Sequence, residues 1–77
     1  MGRSKKAIAE EKRNYIARLS LLISADRRSD VDRIRYVPEG EKDYAEITFR
    51  AGHTVIVDIT GGGCRNVYIT VGKAVYG

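Results

Sequence analysis

The stretch DYAEITFRAGHTVIVDIT (Asp43 to Thr60) decides the fold of this chain. Both halves of it alternate apolar with polar residues, the two-residue period of a half-buried β-strand. The apolar positions are Ala45, Ile47 and Phe49 in the first half and Val55, Val57 and Ile59 in the second. Between the halves, Ala51-Gly52-His53 is short and contains the glycine that a tight reversal favours. We therefore predict two antiparallel strands, Asp43 to Arg50 and Thr54 to Thr60.

A third strand precedes this pair. Val31 to Val37 has Ile34 and Tyr36 on one side, and Pro38-Glu39-Gly40 closes it. A three-stranded antiparallel meander results, whose inner face a helix can cover. Its predicted outer face carries Tyr44, Glu46, Thr48, Arg50, Thr54, Ile56 and Asp58.

The first third of the chain has the pattern of an amphipathic helix from Ser4 to about Ser24. Its apolar residues recur at the three-, four- and seven-residue spacing that lines one helical face. They are Ile8, Tyr15, Ile16, Leu19, Leu22 and Ile23. Ser4 is the expected N-cap. Such a helix is about 30 Å long, so we expect its first turns to project from the sheet as a basic prong of Arg3, Lys5, Lys6, Lys12 and Arg13.

The last segment has two interpretations. Val67, Ile69 and Val71 alternate and are β-branched, which favours a fourth strand. The residues Cys64, Val67, Tyr68, Val71 and Val75 are instead spaced as on one face of a helix. We favour the helix over Cys64 to Tyr76, because a second helix would cover the rest of the sheet's inner face. The predicted fold class is α+β, a two-layer sandwich in one small domain spanning residues 1–77.

Composition argues against an enzyme. A chain of 77 residues has a thin core, and a deep active-site cavity is not expected in it. Cys64 and His53 are the sole candidates for a nucleophile and its base, and no spacing brings them together. One Cys and one His predict no metal site, and we expect no cofactor. A lone cysteine and the absence of an apolar leader predict a cytoplasmic protein without membrane contact.

The glycines Gly61, Gly62 and Gly63 precede the predicted second helix. At a helix N-terminus the free N–H groups and the helix dipole favour an anion, and Arg65 could assist. This predicts a phosphate site, for example for a nucleotide signal. The commoner role of such glycines is chain reversal, and no P-loop lysine accompanies them.

The stretches IAEEKRNYIARLSLLI (Ile8 to Ile23) and DVDRIRYVPEGEKDYAEITFRAGHTVIVDIT (Asp30 to Thr60) resemble small proteins of phages and prophages of Gram-positive bacteria. In those proteins a helix leads into a strand meander and a final helix follows. The resemblance implies an inhibitor of host defence, of the anti-CRISPR kind, acting in the bacterial cytoplasm on a larger host protein or ribonucleoprotein. The glycines after Thr60 depart from that pattern.

Arginines support a binding role, because the planar guanidinium forms paired hydrogen bonds to carboxylates and phosphates. The predicted partner-binding residues are Arg27, Arg28, Arg33, Arg35, Tyr44, Thr48, Arg50 and Ile56. The alternative is nucleic-acid binding, since the element order also resembles double-stranded-RNA-binding domains and the net charge is +4. Its candidate contacts are Arg3, Lys5, Lys6, Arg27, Arg28, Arg33 and Arg35. Monomer and homodimer both remain open.

Overall fold

The computed structural model describes residues 4–77 as two helices packed on one face of a three-stranded antiparallel sheet. The elements are α1 (Lys5–Ala25), β1 (Val31–Glu39), β2 (Lys42–Phe49), β3 (Thr54–Asp58) and α2 (Gly63–Tyr76). The strand order is β1-β2-β3, so β2 is central and the sheet is a meander. The predicted α+β fold is confirmed, and residues 64–76 are helical.

Helix α1 begins as its sequence predicts. The Ser4 hydroxyl oxygen accepts from the Ala7 N–H at 3.2 Å and caps the first turn. At the other end the Ser29 hydroxyl donates to the Ile23 carbonyl at 2.6 Å, within a short 3-10 turn, Arg27–Ser29. These contacts stop the helix and direct the chain into β1.

The core-facing stripe of α1 is narrower than predicted. Ile16, Leu19 and Ile23 are buried against the sheet, whereas Leu22 is 69% exposed. Leu22 and Ile23 are adjacent on a helix that turns by about 100° per residue, so only one of them can face the core. The assignment of Leu22 to the buried face was wrong.

Strand register assigns side chains to the two faces of the sheet. On the inner face Ile34 lies opposite Ile47, and Ile47 lies opposite Val55. Ile47 is fully buried between them. The two-residue turn from β1 to β2 includes Gly40, whose φ of 66° is in the left-handed region that glycine adopts readily.

The last segment forms helix α2 and not a fourth strand, and the reason is its packing. Val67 and Val71, four residues apart, are both fully buried against the sheet. A strand would have placed Val67, Ile69 and Val71 on the same face, yet Ile69 is 45% exposed. Burial of one helical stripe therefore outweighs the β-propensity of the branched residues.

Lys12 is not part of an exposed basic prong, contrary to the prediction. Its side chain is buried, and its ammonium group donates to the two Asp43 carboxylate oxygens at 3.2 and 3.0 Å and to the Ile59 carbonyl at 2.7 Å. Tyr36 donates to the same carboxylate at 2.8 Å. Burial, with this hydrogen bond, raises the pKa of Tyr36 to about 12. Lys12 thus ties α1 to the sheet.

Arg13 is also held against the protein, because its guanidinium lies 5.4 Å from the centre of the Tyr36 ring. Lys5 and Lys6 are exposed in the first turn of α1, while Arg3 lies outside the described residues. The predicted prong is therefore reduced, within residues 4–77, to Lys5 and Lys6.

Candidate partner-binding surface

The outer face of the sheet is built from every second residue of each strand, as the alternation predicts. It consists of Arg33, Arg35 and Val37 of β1, Tyr44, Glu46 and Thr48 of β2, and Thr54, Ile56 and Asp58 of β3. Both helices lie on the opposite side. We call these nine residues the outer face.

Register arranges the outer face in three rows across the strands. They are Arg33-Thr48-Thr54, Arg35-Glu46-Ile56 and Val37-Tyr44-Asp58. Ile56 is 62% exposed, and Tyr44 lies in the neighbouring row of the adjacent strand. Val37 and Tyr44 are directly opposite each other. Each strand thus contributes one apolar or aromatic side chain to the face, while charged residues occupy two of its corners and two positions of its middle row.

The two outer-face arginines differ in their partners. Arg35 forms an ion pair with Glu46 across the strands, Nε to Oε1 at 3.4 Å. Arg33 lies opposite Thr48 and has no ion-pair partner among residues 4–77. Exposed ion pairs contribute little to stability. Arg33 is therefore the cation on this face that is available to a carboxylate of another molecule.

Asp58 terminates β3 at a corner of the outer face. Its carboxylate accepts from the Thr60 N–H at 2.8 Å. The hydrogen bonds from Thr60 lower the pKa of Asp58 below its usual value. The corner is thus anionic at neutral pH.

Arg50 does not belong to this face, which corrects its predicted place. It follows the last residue of β2, and its Nη2 donates to the Ser24 carbonyl at 2.6 Å. Its backbone N–H donates to the Asp30 carbonyl at 2.9 Å. Arg50 therefore reaches over the sheet end towards α1, where it satisfies a carbonyl of the last helical turn.

Arg27 and Arg28 lie in the 3-10 turn and are exposed. Arg28 pairs with Asp26, Nε to Oδ1 at 3.3 Å, and the Tyr76 hydroxyl donates to the same carboxylate at 2.7 Å. The Tyr76 hydrogen bond is the main cause of a lowered pKa for Asp26. These two arginines thus form a separate site beside the ends of α1 and α2.

The three glycines form the connection from the sheet to α2. All three have positive φ, and a Cβ on Gly62 would lie 2.6 Å from the Asn66 Cβ. The Asn66 amide donates to the Gly61 carbonyl at 3.0 Å. Gly62 is the N-cap and no side chain caps the helix. The loop is therefore a defined chain reversal that leaves the first N–H groups of α2 uncapped by side chains.

A depression of about 660 Å³ lies beside this loop, between α1 and the β1–β2 turn. Its lining holds as many ammonium groups, on Lys5, Lys12 and Lys42, as carboxylates, on Glu11, Glu41 and Asp43. Lys12 is already bound by Asp43, and Arg65 is not part of the lining. This charge balance weakens the case for a phosphate at Gly61, Gly62, Gly63 and Arg65.

A second exposed apolar surface, which the sequence reasoning missed, lies between the two helices. This interhelical groove has a volume of about 340 Å³. Its exposed apolar members are Leu22, Tyr68, Ile69 and Tyr76. The adjacent pair Leu21-Leu22 was the available signal, because both leucines cannot enter the core together.

Cys64 and His53 are far apart in the topology. His53 stacks on Phe49 at the β2–β3 turn, with ring centres 4.6 Å apart, whereas Cys64 opens α2 beyond the other end of β3. The Cys64 thiol contacts the Glu11 carbonyl at 3.9 Å. In residues 4–77 no three His, Cys, Asp or Glu side chains cluster in a way that could hold a metal ion.

Comparison of the chain with protein families, with curated proteins and with solved structures found no match. Neither α1 nor α2 is long and apolar enough to cross a membrane.

Proposed function

We propose that this chain is a small non-enzymatic binding protein that docks on a larger protein through the outer face of its sheet. The observation that carries the proposal is an uncovered sheet face on which exposed Ile56 and half-buried Tyr44 accompany Arg33, which has no ion-pair partner within residues 4–77. The hydrophobic core lies between the two helices and the inner face, so the apolar side chains of the outer face are not needed to form that core.

The composition of the outer face fits a protein interface. Interfaces are enriched in aromatic residues and arginine, with an apolar centre and a polar rim. Tyr44 and Ile56 supply the apolar contacts, and Thr48 and Thr54 supply small hydrogen-bonding groups at the rim. The expected partner surface has an apolar projection for Tyr44 and Ile56 and a carboxylate opposite Arg33.

The class of partner follows from the resemblance to phage proteins. The inhibitor of host defence that this resemblance implies would occupy a surface of a nuclease or of a guide complex, and such a blocking role needs no catalytic group. A small domain with one face free can do this. The proposed setting is the cytoplasm of the bacterial host.

Nucleic-acid binding is less well supported, because the basic residues do not form one patch. Lys5 and Lys6 lie at the start of α1, and Arg27 and Arg28 follow its end. These ends are about 30 Å apart. The outer face adds Arg33 and Arg35, but Glu46 and Asp58 interrupt the positive charge there.

Affinity capture from a bacterial lysate, with and without nuclease, tests the proposal. We would compare the tagged wild-type protein with Arg33→Glu and with Arg18→Glu, a matched charge reversal on the exposed side of α1. A partner should be captured in both nuclease conditions by wild type and by Arg18→Glu, and lost with Arg33→Glu.

Two results would contradict the proposal. If Arg33→Glu and Arg18→Glu reduce capture equally, the attraction is general electrostatics and not contact with the outer face. If only nucleic acid is recovered, and binding falls steeply as salt rises, phosphate contacts carry the function.

A further inference from the structure

The two edges of the sheet differ in how their backbone groups are protected. At the β1 edge the outward N–H of Ile34 donates to the Ser20 hydroxyl of α1 at 2.9 Å. Pro38, farther along the same edge, has no N–H at all. A register shift between Val31 and Arg33 also bends this strand. Each feature is a known protection against strand addition.

Strand β3 forms the other edge and lacks these protections. Within β3 there is no proline, no lysine and no register shift against β2. Thr54, Ile56 and Asp58 are all exposed. No further strand pairs with β3 in residues 4–77.

The ladder between β2 and β3 shows which backbone groups of β3 face outward. The Phe49 N–H donates to the His53 carbonyl at 2.9 Å, and the Ile59 N–H donates to the Asp43 carbonyl at 3.0 Å. Hydrogen-bonded pairs alternate along an antiparallel ladder. Residues 53, 55, 57 and 59 therefore bond to β2, and the N–H and C=O groups of Thr54, Ile56 and Asp58 point away from the sheet.

We propose that the β3 edge pairs with the β3 edge of a second copy of this chain, antiparallel and around a two-fold axis at Ile56. In this register Ile56 faces the partner's Ile56, and Thr54 faces the partner's Asp58. All outward N–H and C=O groups of the three residues then find partners, with two hydrogen bonds in each facing pair. The two three-stranded sheets become one of six strands.

Side chains support this register. The Ile56 pair brings two exposed apolar side chains together, and the Thr54 hydroxyl can donate to the Asp58 carboxylate of the second copy. Asp58 is the one charged residue of β3, so no carboxylate faces another carboxylate. Shifting the two-fold axis by one residue, to Val55 or Val57, leaves either Asp58 or Thr54 without a facing residue in the second strand.

The strand sequence thus favours a symmetric, self-complementary contact, which is the commonest way for identical chains to form a dimer. The dimer would join two outer faces into one continuous surface. It goes beyond the proposed binding function and does not depend on it, because a monomer could still dock on a partner through its outer face.

Sedimentation equilibrium over a range of protein concentrations tests the dimer, with two substitutions of one residue. Ile56→Pro removes no hydrogen bond to β2, because the Ile56 N–H points outward, but it removes a donor to the second strand and places the proline ring in that strand's path, so the dimer should be lost. Proline is tolerated at such edge positions, and an NMR spectrum checks the fold. Ile56→Thr keeps the N–H and the branched shape, and should raise the dimer dissociation constant by only about twofold to fivefold.

NMR on a mixture of labelled and unlabelled wild-type chains provides a second readout that needs no variant. Contacts between chains should appear from Thr54 to Asp58 of the second copy, and between the two copies of Ile56. A wild-type protein that stays monomeric at every concentration would overturn the proposal. So would a dimer that survives Ile56→Pro, or one whose contacts between chains lie in the interhelical groove.

Discussion

The inner and outer faces of the sheet come from alternate residues of the same strands, and they differ in what lies against them. On the inner face Ala45 and Ile47 are fully buried beneath the helices, whereas Ile56, one strand away, is 62% exposed on the outer face. Folding free energy from apolar burial scales with the area removed from water. Substitutions on the inner face should therefore change stability, and substitutions on the outer face should change binding.

The inner face also contains the polar network that orients α1. Lys12, Asp43 and Tyr36 connect α1 to β1 and β2 through hydrogen bonds of 2.8 to 3.2 Å. Buried polar groups need such partners, because an unpaired buried charge is costly. The exposed Arg35–Glu46 pair on the outer face has no comparable role. An ion pair therefore contributes more to stability on the inner face than on the outer face.

The largest expected effect is a difference in unfolding free energy between a substitution on the inner face and one on the outer face. Ile47→Ala should lower the free energy of unfolding by about 3 kcal/mol, because it leaves a cavity in a closed core. Ile56→Ala should change it by less than about 1 kcal/mol. Urea unfolding followed by circular dichroism measures both. Equal losses for the two variants would mean that the outer face is covered in solution.

A smaller effect is expected for Lys12→Met. Removing the ammonium group leaves the Asp43 carboxylate without its buried cation, which should cost about 2 kcal/mol. This is less than for a fully buried pair, because the Asp43 side chain is 15% exposed. The double variant Lys12→Met with Asp43→Asn should recover part of the loss. A single variant as stable as wild type would show that Lys12 is a solvated surface residue.

The smallest expected effect is a loss of folding stability at high pH. The pKa of Tyr36 is raised from 10.0 to about 12 in the folded protein, chiefly by burial. The folded state thus favours the neutral phenol, and the stability from this group is present below pH 10 and is lost as the pH rises towards 12. Unfolding midpoints across this interval should fall more steeply for wild type than for Tyr36→Phe. Equal slopes would contradict the burial of this phenol.

The sequence predicted the fold well because its signals are local. The alternation in Asp43 to Thr60 and the helical spacing around Ile16 each depend on neighbours within a few residues. The same alternation placed Tyr44, Thr48 and Ile56 on the outer face. Whether these residues bind a partner remains a prediction.

What the sequence did not predict depends on distant contacts. Lys12 lies on the apolar stripe between Ile8 and Ile16, but its partner Asp43 is 31 residues away, so the lysine appeared solvent-facing. Arg50 was placed on the outer face because β2 was expected to include it, and its actual partner is Ser24. Neither pairing leaves a periodic signal in the chain.

The most direct test of the outer face as the binding surface is an NMR footprint. The labelled chain would be titrated with the partner recovered by affinity capture, and the residues whose signals shift or broaden would be mapped. The predicted result is a footprint centred on Arg33, Tyr44 and Ile56, with the interhelical groove unchanged. A footprint centred on Leu22, Tyr68 and Ile69 would contradict the proposal and assign binding to the helices.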